Sequence, residues 1–331
     1  MLSAFPSGVS SFGVPLPSFP FPTQGKYIFC KPGTGLDGND GLSLDTAVKT
    51  LVRAHAIATA NQNDIVLFFA ESNSASATTD YQTSSLVWSK DLVHLVGIGP
   101  MGLITSRCRI STSTTGITPL VSITADACLW MNIEVFHGVT ADQTGLVAVQ
   151  VSGDRNHFVN CDFKGGGVST TADDAGMRSL KLVNAAETTF QNCTIGLDTI
   201  ARSAANFELE LANDATSDGC ARNVFRNCIF PTYSSTAGRA FVTVGADSID
   251  RFVEFDNCKF INAINSGATT MTEALSVAAG TSPNGMILLS GNSYVVGATD
   301  WEANAESARV YITGGAPTNN TSGLAVLVEA T

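Results

Sequence analysis

Glu134 and Asp162 fall at the same place in a phrase that the chain repeats, one unit apart. Two carboxylates roughly 5 Å apart are the equipment of a retaining glycosidase, one attacking the sugar and the other shuttling the proton. They are the sharpest catalytic candidates in the sequence. Against them, two acids that close repel each other, and the same slots suit ordinary solvated strand positions. The other chemistry-bearing residues converge less. His55, His94, His137 and His157 share no slot, and no nucleophile motif accompanies them. Asp37-Gly38-Asn39-Asp40-Gly41 hints at a calcium loop, but Gly41 stands where a fifth-position ligand should be and no Glu closes the loop. A turn is the expectation there. Cys161, Cys193, Cys228 and Cys258 share one slot of successive units and lack the CxxC clustering of a zinc site. They read as a ladder of buried, unpaired thiols acting as small hydrophobes, as suits folding in a reducing compartment. The expectation is no metal and no cofactor.

The elements that must position these residues are announced by the phrase itself: apolar, any residue, Asn, small, any residue, apolar. It runs Trp130-Met131-Asn132-Ile133-Glu134-Val135, then Phe158 to Phe163, Phe190 to Ile195, Phe225 to Phe230 and Phe255 to Phe260, with a weakened copy at Leu289 to Tyr294. Leu95-Val96-Gly97-Ile98 resembles an opening copy. The Asn or Gly slots at 97, 132, 160, 192, 227, 257 and 291 are spaced by about 32 residues on average, a period typical of stacked repeats. Side chains alternate along a strand, yet Phe158 and Phe163 differ in parity, so one face cannot hold both unless the chain bends between Asn160 and Cys161. Asn and Gly are the residues that best tolerate a left-handed bend. The ladder Asn132, Asn160, Asn192, Asn227 and Asn257 is therefore read as the bend. Phe158, Cys161 and Phe163 then point inward, and Val159 and Asp162 outward. A second apolar alternation precedes each copy, as in Leu120-Val121-Ser122-Ile123, Val147 to Val151, Leu180 to Val183, Phe207 to Leu211, Phe241 to Val244 and Ala274 to Val277. Three short strands per unit, with units stacking in register, describe a parallel β-helix.

The N-terminal third carries a family likeness. Tyr27-Ile28, then Gly33-Thr34-Gly35-Leu36-Asp37-Gly38-Asn39-Asp40-Gly41-Leu42-Ser43, then Ala47-Val48-Lys49-Thr50-Leu51 resembles the start of pectin-lyase-like right-handed β-helix proteins. The resemblance covers about residues 26 to 300. It implies a short helix capping the open end, with Asp45 as N-cap and Val48, Leu51, His55 and Ala58 on one face of a helix to about Ala60. It also implies that Asn63 to Phe68 and Asp91 to Gly97 are strands. On activity it is nearly silent, since the superfamily holds lyases, hydrolases and inert virion proteins. The lyase branch uses clustered Asp ligands for calcium beside a basic residue, and no such set is evident. Sugar-binding members expose aromatic platforms, whereas of Trp88, Trp130 and Trp301 the second is already assigned to the core.

The expected fold class is thus all-β: a single-stranded right-handed parallel β-helix with an N-terminal capping helix and an extended N-terminal arm. Residues 1–25 form the Pro-rich docking arm, 26–96 the cap and first coil, and 97–299 the repeats. Residues 300–331 form C-terminal strands, either a last coil or an oligomer contact. The chain has 331 residues, 14% of them charged, and a net charge of −11. That acidity argues against nucleic acid and anionic membranes as partners. No apolar run is long enough to span a bilayer, and the start lacks the basic region of a secretory signal. Val14-Pro15-Leu16-Pro17-Ser18-Phe19-Pro20-Phe21-Pro22 alternates proline with apolar residues, and no charge precedes Lys26. Such a segment is extended and builds no core of its own. Phe5, Phe12, Leu16, Phe19 and Phe21 are its anchors for a partner groove. The functional expectation is a structural virion protein of a tailed bacteriophage, a homotrimer decorating the capsid and held by the arm on a major capsid or tail protein. The alternative is a tailspike polysaccharide depolymerase or a receptor-binding fibre.

Overall fold

The computed structural model describes residues 10–11, 14–15, 25–100, 102, 108–139, 146–169, 175–203, 205–214, 219–263, 266–278, 285–303 and 310–312. The alternations and bends fold as three parallel sheets wound into one solenoid. One coil shows the logic. Leu129–Met131 runs in a ten-stranded sheet, the chain bends at Asn132, and Glu134–Phe136 joins a nine-stranded sheet. Val147–Val151 then lies in a seven-stranded sheet before His157–Val159 returns beside Leu129–Met131. Rungs pair in strict register: Trp130 on Phe158, Phe158 on Phe190, Phe190 on Phe225, Phe225 on Phe255.

The bend residues take the conformation their type favours. Asn132, Asn160, Asn192, Asn227 and Asn257 have φ between 50° and 57°, and Gly291 has 63°. A left-handed residue turns its own N–H along the solenoid axis. Asn160 N donates to Gln191 O, Asn192 N to Arg226 O and Asn227 N to Asp256 O. Each bend is thereby tied to the next rung, and Asn257 Nδ2 adds a bond to Asn227 Oδ1 at 2.8 Å. The expected opening copy at Gly97 differs. Gly97 lies within the straight strand Val93–Ile98, paired with Phe68. A side chain there would meet Asn132 O at 2.1 Å, so this glycine serves close approach and not a bend.

Inward positions repeat from rung to rung and so stack like on like. Phe158, Phe190, Phe225 and Phe255 are fully buried, with successive ring centroids 4.7, 4.6 and 5.0 Å apart and nearly parallel planes. Val121, Val149, Leu180, Leu209, Val242 and Leu275 make a second column in the seven-stranded sheet. Each fully buried side chain of this size contributes roughly 1.5–3 kcal/mol by leaving water.

The capping helix is shorter and later than the sequence suggests. Helix α1 spans Leu51–Ile57 and buries Leu51, Ala54 and His55 on the end of the core. Thr50, not Asp45, is its N-cap, its hydroxyl accepting from Arg53 N at 3.2 Å. Val48 is not helical but bridges Cys30 in the first strand. The reason is Asp37, whose carboxylate accepts from Lys49 N and Thr50 N at 2.9 Å each and holds residues 48–50 extended. At the other end, Val310–Ile312 pairs with Met286–Ser290, so this part of the C-terminal region extends the ten-stranded sheet as a further coil. Leu324 to Val328 lie outside the described residues.

Candidate functional site

Glu134 and Asp162 do sit opposite each other on adjacent rungs, as their spacing predicts. They are not solvated. Each is only 1% exposed. Glu134 lies between two cations, Arg109 Nε at 2.9 Å from Oε1 and Lys164 Nζ at 3.5 Å from Oε2. Arg109 is the partner of Glu134 on the preceding rung, and Lys164 follows Asp162 by two residues on the same face. The column therefore runs cation, acid, acid. A carboxylate already neutralised and shielded from water is a poor nucleophile and cannot be reached by a sugar.

The thiol column is equally closed. Cys161, Cys193, Cys228 and Cys258 are at most 1% exposed, and all eight cysteines are free. Each Sγ points back to an aromatic residue's carbonyl one rung earlier: Trp130 O, Phe158 O, Phe190 O and Phe225 O, at 3.5, 3.5, 3.4 and 3.2 Å. Burial holds the first three thiols well above their ordinary range, so they stay protonated and inert. Three of the histidines serve the scaffold in a similar way, while His157 is exposed at the start of its strand. His55 Nε2 accepts from Ser89 N at 3.3 Å, His94 Nδ1 accepts from Leu129 N at 3.0 Å, and His137 Nε2 lies 2.7 Å from Ile117 O. Asp37 and Asp40 work as turn staples, Asp40 Oδ1 accepting from Leu42 N and Thr46 Oγ1. Among the described residues no three His, Cys, Asp or Glu side chains are grouped to hold a metal ion. The arm anchors Phe5, Phe12, Leu16, Phe19 and Phe21 lie outside the described residues. Within the arm, Ser10–Ser11 pairs antiparallel with Val14–Pro15.

The largest ionic cluster was not anticipated. The side chains of Glu208, Arg202 and Arg239 are fully buried. Glu208 Oε1 receives Arg202 Nε at 3.0 Å, Arg239 Nη2 at 2.9 Å and Thr232 Oγ1 at 2.7 Å, and Oε2 receives Ser179 Oγ at 2.7 Å. Two residues on, Glu210 binds Arg178 Nε at 2.7 Å and Lys181 Nζ at 3.0 Å, nearer the surface. Burial pulls the Arg239 guanidinium down to about 10, with Arg202 adding to the effect and Glu208 opposing it. A signal did exist: Phe207-Glu208-Leu209-Glu210-Leu211 places two acids on the outer face of a strand whose neighbour carries Ser179 and Lys181. The cations that meet Glu208, however, come from Arg202, at the end of the preceding strand Leu197–Arg202, and from Arg239, in the connection between Ile229–Ser234 and Val242–Val244 one coil later, beyond the reach of strand periodicity. Chemically the cluster is a clamp, because every carboxylate oxygen of Glu208 is occupied.

A surface pocket of about 530 Å³ lies at the N-terminal end, lined by Thr34, Lys49, Thr50, Thr79, Asp80 and Tyr81 among others. Its carboxyl, Asp80, occupies the inward slot that Ile110 and Val135 fill on later rungs. Asp80 Oδ2 accepts from Leu51 N and Gln82 Nε2 at 2.8 Å each. Burial, outweighing these bonds, raises Asp80 to about 6.

No protein-family model matches the sequence, and no curated protein matches it either. Solved structures do match in shape. Pectin methylesterase PemA from Erwinia chrysanthemi aligns with a TM-score of 0.56 at 14% identity, over 92% of this chain and 94% of that one. Pectate lyase Pel9A aligns with a TM-score of 0.53 at 13% identity, over 91% and 74%. ORF18 of Geobacillus virus E2 aligns with a TM-score of 0.50 at 15% identity over 77% of this chain, which spans 46% of that protein's length. At such identities the likeness shows architecture alone. The chain has the pectin-lyase-like, right-handed parallel β-helix fold.

Proposed function

We propose that the chain is a structural virion protein of a tailed bacteriophage, in its most specific form a trimeric capsid decoration protein held by residues 1–25. The observation that carries this reading is the sealing of the acids. Glu134 is neutralised by Arg109 and Lys164, and Glu208 by Arg202 and Arg239, so both serve rigidity. A solenoid whose outer acids are locked in ion pairs suits a durable particle surface. That a virus protein, ORF18, has the same fold supports the reading. Immunogold electron microscopy of the phage particles tests it. Label over the heads is expected, label at the tail tip moves the protein to the tail, and unlabelled particles overturn the reading.

A second reading, a tailspike depolymerase, is favoured by the fold shared with PemA and Pel9A, and it requires that Glu134 and Asp162 be uncovered from Arg109 and Lys164 before they meet a sugar. If the protein shortens a capsular polysaccharide, Glu134→Gln and Asp162→Asn should each cut the rate at least about 100-fold, on the scale of lost acid–base catalysis. Full activity in both variants removes the pair from catalysis.

A further inference from the structure

Among the described residues, large exposed apolar side chains are confined to the two ends of the rod. Leu36, Leu42 and Leu44 project from the loop before α1, at 64, 45 and 53% exposure, and Val52 projects from α1 itself at 53%. Tyr27, Tyr81 and Val87 add to them on the first strand of each sheet. At the far end stand Met286 and Tyr311. Among the described residues between 88 and 285, no large apolar side chain is exposed to this degree.

The loop bearing the leucines lies along the outer edge of the first rung. Phe29 N donates to Gly41 O, and Lys31 N to Val48 O. Asp37 and Asp40 fix its shape through five bonds to backbone N–H and hydroxyl groups of residues 42–50, so the leucines are held out and not merely stranded. Leu51, Ala54 and His55 of α1 cover the core, which leaves Val52 facing away from it. Residues 1–24 join the solenoid at this same pole, where Lys26 N is pinned by Asp64 Oδ1 at 2.9 Å. Those residues are uncharged and rich in Phe and Pro. Their phenylalanines alone carry on the order of 600–800 Å² of surface, the scale that one partner needs in a stable interface.

From this distribution we infer that copies of the chain associate through their N-terminal poles, each leucine patch receiving residues 1–24 of a neighbouring copy. The inference rests on the trimeric part of the functional reading, adds where the contact lies, and gives the arm a neighbouring copy as its partner in place of the capsid. The described residues of the flanks offer no apolar patch for it. Rods joined at one pole splay outward, and the assembly presents its C-terminal ends to solvent.

Light scattering coupled to size exclusion tests the contact. Wild type is expected at three times the monomer mass, and Leu36→Lys/Leu42→Lys/Leu44→Lys at the monomer mass, a threefold fall with unchanged far-UV circular dichroism. Met286→Lys/Tyr311→Lys should remain trimeric. The reverse pattern overturns the assignment. The native thiols are buried, so Ser18→Cys combined with Leu44→Cys reports on the arm. Oxidation to chains linked between copies is expected, and a link formed only within one copy overturns the exchange. A wild type that stays monomeric defeats pole association, yet heads labelled in the immunogold experiment would still uphold the virion reading.

Discussion

At the residue scale, ionisable groups are held in states that water would not choose. Asp80 is raised to about 6, while burial lowers His55 and His94 to about 4. The signs oppose each other. A carboxyl raised in the folded state contributes stability that is present below its unfolded pKa and lost as pH rises through about 6. A lowered histidine contributes stability that is present above about 6.5 and lost as pH falls towards 4. Asp80→Asn should therefore gain on wild type by about 2 kcal/mol between pH 4 and 7, read from urea midpoints at both values. A constant difference would show that Asp80 does not titrate in this range. Glu208→Ala leaves two buried guanidiniums facing each other and should cost about 3–5 kcal/mol. Glu208→Gln should cost less, because an amide oxygen still accepts from Thr232 and Arg239.

At the element scale, the Asn bend is the unit on which winding depends. Asn192→Ala forces a β-carbon residue without a polar side chain into φ near 53° and should cost about 1–2 kcal/mol, with Asn192→Gly costing less. Asn132→Ala should cost more, since Asn132 Nδ2 also donates to Gly97 O and Gly99 O. Thermal melts of the three variants rank these effects. The bend was legible because parity cannot be kept across Asn160 and Cys161 by any straight strand. The capping helix was less so. A reading of Asp45 and Val48 from local pattern misses that Asp37, eight and more residues earlier, fastens Lys49 and Thr50. The same limit hid Arg202 and Arg239, which meet Glu208 only once successive coils have stacked. Glu134 was found at its slot, but the Arg109 and Lys164 that quench it belong to neighbouring rungs.

At the scale of the whole molecule, contacts run almost entirely between adjacent rungs, so the rod behaves as a one-dimensional stack. The buried thiols make its opening measurable. In native buffer an aromatic disulfide reagent should label none of the eight cysteines within the lifetime of the folded rod. In denaturant all eight should appear together if the stack unfolds as one unit. Stepwise release, beginning with Cys30 or Cys258 at the ends, would show that rungs peel off individually.

The register of the bends also makes length a separable property. Removing residues 132–159 joins Met131 directly to Asn160, bend for bend. Arg109 then faces Asp162 where it had faced Glu134, acid replaced by acid. Such a deletion keeps the period and subtracts one storey. Duplicating or dropping single repeats can thus change the length of the rod one rung at a time, without redesigning either terminus.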